Sequence, residues 1–348
     1  MHFGDQETDM KKVKVENAIG MVLAHDITRI IPGKFKGVGF KKGHIVQEKD
    51  IPGLKKLGKN HIYVLNLSAN KLHEDDAALR IAWAISGDQL HWTDPVEGKS
   101  SIISNVQGIV KVNPAALLKI NKLGEIIVST LKNNFPCQEG QVIAATRIIP
   151  LTINTKKIER LEVLVQNRHP VINVKPYRKL KIGAVVTGSE IYEGIIKDEF
   201  DKYVGKKVDD YGSRVVKKIH APDNPGAIGN AVGQLKDLGC DLILTTGGLS
   251  VDPDDVTRQG VKQIGAEIIA YGAPVLPGAM FLYAKLDGIP ILGLPACVFY
   301  HETTIFDLTF PRVLAGDEIT KNEIAQMGHG GLCLDCDKCQ FPVCPFGK

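Results

Sequence analysis

The chain has 348 residues, of which 44% are hydrophobic and 24% are charged, with a formal net charge of +4. This composition is typical of a globular protein with room for two or three domains, and the weak, dispersed positive charge argues against a nucleic-acid partner. No apolar run approaches the roughly 20 residues that span a bilayer, and the N-terminus lacks the pattern of a signal peptide. We therefore expect a cytoplasmic protein that does not bind membranes.

The first half of the chain predicts two mixed α+β segments, residues 1–70 and 71–176. In the first, a strand at 43–46 precedes a short helix near residue 51, and 61–65 is a strand. In the second, a helix begins at His73 and buries Ala78, Ile81, Ala82 and Ile85 on one face. A short helix is predicted at 114–120, and strands are predicted at 108–112, 125–131, 142–149 and 161–165.

The third segment, residues 177–316, alternates predicted strands and helices. This order predicts an α/β fold with a three-layer, doubly wound, mostly parallel sheet. A helix is expected at 225–238, and a closing helix is expected at 298–314, where Pro311 would end or kink it. A short Cys-rich tail, residues 317–348, follows.

A Gly-rich loop follows the predicted strand at 241–244. Its sequence starts Thr-Thr-Gly-Gly-Leu-Ser, and Gly247 and Gly248 would let the backbone approach a ligand without side chains in the way. Loops of this kind between a strand and a helix bind anions, because free N–H groups and the helix dipole favour negative charge. The loop therefore predicts a phosphate site.

Carboxylates lie in the same loop. Asp252, Asp254 and Asp255 would repel a phosphate unless a divalent cation lay between them, and Mg²⁺ commonly bridges carboxylates and phosphates. The alternative is a turn without a ligand, in which Asp252 caps the helix, Pro253 is its first residue and Asp255 completes a capping box.

Two further predicted strands end in comparable loops. The strand at 181–186 runs into Thr187-Gly188-Ser189-Glu190, and the strand at 289–292 runs into Gly293-Leu294-Pro295-Ala296. Loops at the carboxyl edge of a parallel sheet share one crevice. The first loop and the Gly-rich loop are therefore expected to form a single site.

These motifs carry a family resemblance. Val-Thr-Gly-Ser-Glu, Thr-Thr-Gly-Gly-Leu-Ser followed by Asp-Asp-Val-Thr, and Gly-Leu-Pro-Ala resemble, in order and spacing, the molybdopterin-binding domain of molybdenum cofactor biosynthesis proteins. The resemblance covers about residues 178–315, and the whole chain is most similar to the molybdopterin molybdenumtransferase branch, which has extra domains before the binding domain.

The resemblance implies a ligand, a metal and a set of site residues. The crevice would bind molybdopterin or its adenylylated form, with Mg²⁺ as cofactor and molybdate as second substrate, in a homo-oligomer. Asp255 would be the catalytic acidic residue, and Asp252 or Asp198 would complete the Mg²⁺ site. The implied ligand residues are Thr187, Gly188, Ser189, Glu190, Gly247, Gly248, Ser250 and Pro295.

Two departures from the family pattern bear on catalysis. The family's third motif continues Gly-Asn-Pro, whereas this chain has Ala296-Cys297-Val298. The branch also carries an acidic loop with the sequence Asn-Ser-Ala-Met-Asp-Gly-Tyr-Ala. The corresponding stretch of this chain, residues 32–40, is basic and lacks a carboxylate. The acidic group at 73–76 could replace that loop or could be an ordinary helix N-terminus.

The tail contains Cys333, Cys336, Cys339 and Cys344, the last followed by proline. Four thiolates at this density are the usual ligands of zinc or of an iron–sulfur cluster, and either Zn²⁺ or a [4Fe–4S] cluster fits the spacing. A disordered tail with incidental thiols is the alternative.

Three hypotheses for the function follow. The first is an enzyme that inserts molybdate into adenylylated molybdopterin with Mg²⁺-assisted release of AMP. The second is a non-catalytic carrier or chaperone that delivers the cofactor to a molybdoenzyme, with the tail as a docking or redox element. The third, nucleotidyl transfer onto molybdopterin, requires a nucleotide site that the sequence does not show.

Overall fold

The computed structural model describes residues 10–31, 35–65, 70–96, 98–250, 252 and 256–348. The chain divides into two compact units. Unit 1 comprises 1–106, 110–133 and 139–174, and unit 2 comprises 107–109, 134–138 and 175–348. The segments predicted at 177–316 and 317–348 both fall within unit 2. None of the helices in the described part of the chain has the length and hydrophobicity needed to cross a membrane.

Strands and short helices alternate irregularly up to residue 176. The helices are α1 (Ile51–Lys56), α2 (Glu74–Ile85), α3 (Pro114–Asn121) and α4 (Thr155–Gln166). The strands are β1 (Met10–Lys14), β2 (Val22–Leu23), β3 (Ile27–Ile31), β4 (Phe35–Phe40), β5 (His61–Leu65), β6 (Lys71–His73), β7 (Leu90–Trp92), β8 (Lys99–Ser104), β9 (Gly108–Val112), β10 (Ile126–Thr130), β11 (Pro136–Cys137), β12 (Val142–Ile148), β13 (Thr152–Asn154) and β14 (Ile172–Pro176).

The sheets of unit 1 are antiparallel. One has the order β1-β5-β2, and a second has the order β10-β12-β8-β7. The first sheet shares a core with α1, in which Leu23, Leu54 and Ile62 are buried. The predicted strands at 61–65, 108–112, 125–131 and 142–149 and the helices at 73–85 and 114–120 are confirmed to within a residue or two at their ends.

Two predicted strands in unit 1 are wrong. Residues 161–165 lie inside α4, where Asn154 caps the helix by accepting a hydrogen bond from the Lys156 N–H, and Ile158, Leu161 and Val165 form one buried face at helical spacing. At 43–46, Ile45 forms only an isolated bridge with Val22.

Unit 2 contains a six-stranded sheet flanked by helices. Its strands are β15 (Lys181–Thr187), β16 (Arg214–Ala221), β17 (Leu242–Thr246), β18 (Glu267–Tyr271), β19 (Leu282–Leu286) and β20 (Ile289–Leu294). Its helices are α5 (Ser189–Tyr192), α6 (Lys206–Asp210), α7 (Pro225–Asp237), α8 (Thr257–Gln263), α9 (Ile305–Leu314) and α10 (Lys321–Gln326).

The sheet of unit 2 is mixed. In the order β16-β15-β17-β20-β19-β18, the first four strands are parallel neighbours, whereas β19 pairs antiparallel with both β20 and β18. The reversal occurs at Asp287-Gly288, where both residues have positive φ, +49° and +84°. An Asp-Gly pair at positive φ is the usual two-residue hairpin turn. The α/β class is thus confirmed, with an antiparallel edge that the sequence analysis did not predict.

Apolar side chains cover both faces of this sheet. Along β15, Ile182, Ala184 and Val186 belong to one buried core, and Val185 belongs to another. Successive residues of a strand point to opposite faces, so a strand that is buried throughout lies in the middle of a covered sheet.

The predicted closing helix at 298–314 is shorter than expected. A 3₁₀ turn at Ala296–Phe299 comes first, and α9 begins only at Ile305. Thr304 caps α9 through the Phe306 N–H, and the Asp307 carboxylate accepts from the Thr304 N–H at 2.8 Å. Pro311 lies inside α9 and does not end the helix, which continues to Leu314, although a proline there removes one backbone hydrogen bond.

Candidate functional site

Three of the predicted loops start side by side at one edge of the unit 2 sheet. In the pairing of the parallel strands, Val186 of β15 lies beside Thr246 of β17, and Thr246 lies beside Leu294 of β20. The next residues, Thr187 at the end of β15, Gly247 and Pro295, therefore lie at the same level along this edge. Neighbouring parallel strands that end at one level create the crevice in which such sheets bind ligands.

The first two loops interlock. The Thr187 side chain is 3% exposed, and its Oγ1 donates to the Thr246 carbonyl at 3.1 Å. Gly247 has φ +87°, and a Cβ there would lie 2.6 Å from the Thr187 carbonyl oxygen. Gly248 has φ +61°, and the Thr257 Oγ1 beside it donates to the Gly247 carbonyl at 3.0 Å. Close packing between loops thus requires both glycines.

The first loop is held by a carboxylate that sequence reasoning missed. Both the N–H and the Oγ of Ser189 donate to Asp223 Oδ2, at 2.8 and 3.0 Å. Asp223 follows β16 by two residues, so a polar residue just after a fourth strand at this edge was the available signal. Gly188 has φ +134°, and a Cβ there would lie 3.4 Å from the carboxylate of the exposed Glu190.

The second loop is fastened by Tyr271, a residue outside every predicted motif. Its hydroxyl donates to the Leu249 carbonyl at 2.8 Å, and the Arg258 guanidinium lies over its ring at 4.5 Å from the centroid. Arg258 thereby places a positive charge beside Tyr271, whose hydroxyl also lies 3.4 Å from the Ser250 carbonyl oxygen. Because α8 spans seven residues and α5 spans four, attraction of an anion here depends on loop N–H groups and on Arg258 more than on a helix dipole.

Two buried hydroxyls at the end of β17 lack partners within the described residues. Thr245 and Thr246 are 0% and 1% exposed, and no described group hydrogen-bonds to their Oγ1 atoms. A buried polar group without a partner costs about 1–3 kcal/mol, so it is uncommon in proteins away from a ligand or water site. Their position directly before the Gly-rich loop is consistent with a polar ligand at this edge.

The acidic residues assigned to Mg²⁺ divide into two groups. Asp255, like residues 251, 253 and 254, lies outside the described residues, and Asp252 is exposed. Asp198 is engaged elsewhere: its Oδ2 lies 2.6 Å from Lys218 Nζ and 3.0 Å from His220 Nε2, and its Oδ1 accepts from the Phe200 N–H.

The Asp198 carboxylate is therefore already paired with Lys218 and His220. Burial raises the pKa of its carboxyl, but the hydrogen bonds from Lys218 and His220 outweigh that effect and bring the pKa below its usual value. Over the described ranges, no three His, Cys, Asp or Glu side chains converge closely enough to ligate one metal ion.

The third loop departs from the family pattern at a half-buried cysteine. Pro295 is buried, and its carbonyl accepts from the Val298 N–H at 3.1 Å. Burial raises the pKa of the Cys297 thiol, which keeps it protonated at neutral pH and makes it a poor nucleophile.

The acidic group at 73–76 belongs to the N-terminus of α2 in unit 1. His73 caps this helix by accepting from the Asp75 N–H, and Asp75 Oδ1 accepts from the Gly98 N–H at 3.2 Å. Glu74 is 7% exposed, and burial raises the pKa of its carboxyl. His73 and Asp75 are thus engaged at the N-terminus of α2.

The four tail cysteines lie around a single cavity of unit 2. Cys333, Cys336, Cys339 and Cys344 line a cavity of about 150 Å³. The tail around them packs on the α/β core, since Phe346 is 2% exposed and belongs to that core.

An α/β domain with Gly-rich loops after adjacent parallel strands is a common arrangement for binding ligands. Residues 183–321 match the family described as the probable molybdopterin binding domain, and residues 12–66 match a domain of unknown function, DUF8806. The α/β domain therefore belongs to the molybdopterin-binding family of molybdenum cofactor biosynthesis, which confirms the resemblance seen in the three motifs.

The curated relatives are of two kinds, molybdopterin molybdenumtransferases and CinA-like proteins. A molybdopterin molybdenumtransferase of Haemophilus influenzae is 27% identical over 150 residues, which cover 41% of this chain and 37% of the relative. A CinA-like protein of Pseudothermotoga lettingae is 37% identical over 86 residues, which cover 24% of this chain and 21% of the relative. The matched region thus spans well under half the length of either relative.

Two solved structures have a detectable similarity to this chain. The molybdopterin biosynthesis enzyme MoaB of Thermus thermophilus is 18% identical and covers 40% of this chain and 98% of its own, with a TM-score of 0.34. The molybdopterin biosynthesis MoeA protein of Pyrococcus horikosii is 14% identical and covers 88% of this chain and 75% of its own, with a TM-score of 0.35.

Proposed function

We propose that unit 2 binds molybdopterin or adenylylated molybdopterin in the crevice between the three loops, and that the chain inserts molybdate with Mg²⁺-assisted release of AMP. The observation that supports this most strongly is the alignment of Thr187, Gly247 and Pro295 at the ends of neighbouring parallel strands. Membership of the domain in a molybdopterin-binding family supports the same ligand.

Different residues of the crevice would bind different parts of the ligand. N–H groups of the Gly247-Gly248 loop and the Arg258 guanidinium would hold phosphate oxygens, and the buried hydroxyls of Thr245 and Thr246 would hydrogen-bond polar groups of the ligand. Asp255 would hold Mg²⁺ together with the exposed Asp252. When bound, Mg²⁺ stabilises charge that develops on phosphate oxygens as a phosphoanhydride is cleaved.

The alternative is a carrier that binds the cofactor without chemistry. Two observations favour it. The third loop has Ala296-Cys297-Val298, with a protonated thiol where the family has an amide side chain. Of the group at 73–76, which could replace the missing acidic loop, His73 caps α2 and Asp75 accepts a hydrogen bond from the Gly98 N–H.

Release of AMP distinguishes the two functions. The full chain would be incubated with adenylylated molybdopterin, molybdate and Mg²⁺, and AMP would be quantified by chromatography. The insertion enzyme releases AMP only when both molybdate and Mg²⁺ are present. A chain that binds the pterin and releases no AMP is a carrier.

An Asp255→Asn variant tests the assignment of the acidic residue. We expect it to abolish AMP release while most of the pterin binding remains, because the amide keeps the shape of the carboxylate and loses its charge. Asp209→Asn, at an exposed position of α6, is the matched control and should release AMP at the unaltered rate. AMP release by Asp255→Asn at that same rate would refute the assignment.

A homo-oligomer, a cytoplasmic location and transfer of cofactor to a molybdoenzyme belong to the same proposal. They are carried over from the family resemblance. Light scattering on the eluting chain, with and without a candidate molybdoenzyme, tests the first and the last of them.

A further inference from the structure

The cysteine cavity is built by two segments of unit 2. One wall is the tail, which contributes Cys333, Cys336, Cys339 and Cys344. The other is the segment 300–303, which joins the 3₁₀ turn of the third loop to α9. Lys207 fixes this second wall, because its Nζ donates to the Glu302 carbonyl at 2.7 Å.

The tail is held in a closed loop before any metal binds. The Gly347 N–H donates to the Gly330 carbonyl at 2.9 Å, which joins the two ends of the tail. At its start, the Cys333 N–H donates to the Leu276 carbonyl at 2.8 Å, and the Leu276 N–H donates to the Gly331 carbonyl at 2.8 Å. These bonds and the buried Phe346 position the cysteines around the cavity.

The cavity is larger than a single ion requires. A site for one water molecule needs roughly 10–15 Å³ measured in this way, whereas this cavity has about 150 Å³. Around zinc, thiolate sulfurs at about 2.3 Å from the ion must approach one another closely. No three His, Cys, Asp or Glu side chains in the described part of the chain converge in that manner, although all four tail cysteines face one space.

The cavity also offers hydrogen bonding to sulfur. The Thr303 hydroxyl lies 3.1 Å from Cys339 Sγ and can donate to a thiolate there. His301 lies 3.5 Å from Asp335, and both side chains line the same cavity. Polar groups of this kind around cysteine ligands stabilise an iron–sulfur cluster and set its potential.

We propose that the tail binds a [4Fe–4S] cluster through Cys333, Cys336, Cys339 and Cys344. These four cysteines are free thiols, so all four ligands are available without reduction of a disulfide. Two ferrous ions, two ferric ions and four sulfide ions make up the cluster, and the four thiols each lose a proton on binding to iron. This site is separate from the proposed pterin chemistry and stands or falls independently of it.

Anaerobic reconstitution tests the site directly. The full chain would be incubated without oxygen with equal amounts of ferrous and ferric ion and with sulfide, then desalted. Iron and acid-labile sulfide would be quantified, and the visible absorption would be recorded before and after dithionite. We expect four iron and four sulfide per chain, with a broad visible band that bleaches on reduction.

Two variants make the outcome specific. Cys336→Ala changes an exposed side chain, so it should leave folding intact and lose the cluster, whereas Cys240→Ala changes a buried cysteine in the other core of unit 2 and should keep it. Incubation with zinc alone is the competing measurement. One tightly held zinc per chain without sulfide, failure to bind iron, or an unchanged cluster in Cys336→Ala would each overturn the proposal.

Discussion

Gly247 and Gly265 share a backbone conformation but differ in their surroundings. Their φ values are +87° and +86°, yet a Cβ at Gly247 would press on the Thr187 carbonyl, whereas a Cβ at Gly265 would meet nothing within 4 Å. Comparing alanine variants at these two positions therefore distinguishes two energies. One is the free energy of placing an L residue in the left-handed conformation, about 1–2 kcal/mol, and the other is the free energy of forcing the two ligand loops apart.

Replacement of each glycine by alanine should give different results. Gly265→Ala should lower the free energy of unfolding by about 1–2 kcal/mol and leave pterin binding unchanged. Gly247→Ala should cost more and should also lose pterin binding, because the loops must separate. Urea unfolding and calorimetry measure the two effects, and equal behaviour of the variants would show that the loop contact does not shape the site.

The Asp198 carboxylate should contribute to stability in a pH-dependent way. Its pKa is lowered in the folded chain, so its contribution is complete above the ordinary carboxyl pKa and disappears as the pH falls through the lowered value. Asp198→Asn should thus lower the free energy of unfolding by about 1–3 kcal/mol at pH 7 and by progressively less below about pH 4.

A neighbouring carboxylate provides the control. Asp201 pairs with the same Lys218 at 2.6 Å, but its side chain is 74% exposed, so Asp201→Asn should change stability little. Unfolding would be followed in urea at pH 7 and near pH 3. A cost for Asp198→Asn that stays constant across this range would contradict the assigned pKa direction.

Sequence reasoning found the residues of the site that stand in motifs and missed those that support them. Thr187, Gly247 and Pro295 follow buried strands, and strand ends with glycine and hydroxyl residues can be recognised in a sequence. Asp223 and Tyr271 bond to the loops across the fold. No motif marks Tyr271, and only its place after β16 marks Asp223, because the packing of separate elements creates their contacts.

At the scale of elements, α4 shows where periodicity can mislead. Leu161, Val163 and Val165 occupy every second position and would share one face of a strand. In the helix, Leu161 is fully buried and Val163 is 70% exposed. The five-residue window was too short for the helical period to show, whereas Ile158 and the Asn154 cap lay just outside it.

Two substitutions in this helix distinguish its structure from a strand. Leu161→Ala should lower the free energy of unfolding by about 2–5 kcal/mol, because it empties a packed core. Val163→Ala should change it by about 0.5 kcal/mol or less. Similar large losses for both variants in urea unfolding would indicate that the two side chains share a buried face.

The sequence contains a signal for the antiparallel edge of the unit 2 sheet, the Asp287-Gly288 turn, that the prediction of parallel pairing did not use. Alternating strands and helices predicted parallel pairing, and β15, β16, β17 and β20 follow that rule. The Asp287-Gly288 turn between β19 and β20 leaves no room for a crossover, so these strands must pair antiparallel. A two-residue turn signal outweighs the general order of the elements.

At the scale of the whole chain, the tail is part of the α/β unit. Phe346 is buried to 2% exposure in the larger core of unit 2, and Val343, three residues earlier, is 77% exposed. Composition could indicate a metal site here, but it could not show that the tail returns to the core through Phe346.

Removal of that aromatic side chain should destabilise unit 2. Phe346→Ala should lower the free energy of unfolding by about 3–5 kcal/mol, as expected for an emptied core position. Val343→Ala should leave it nearly unchanged. Thermal unfolding of the metal-free chain measures both. A neutral Phe346→Ala would mean that the tail contributes nothing to the folded unit.

Titration calorimetry of the full chain with molybdopterin and with its adenylylated form, each with and without Mg²⁺, tests the central claim most directly. The account predicts that the adenylylated form binds more tightly and that Mg²⁺ strengthens its binding, since carboxylates and a phosphate site share one loop. Equal, metal-independent binding of both forms would instead support the carrier. Absence of binding to either form would contradict the assignment of this crevice to molybdopterin.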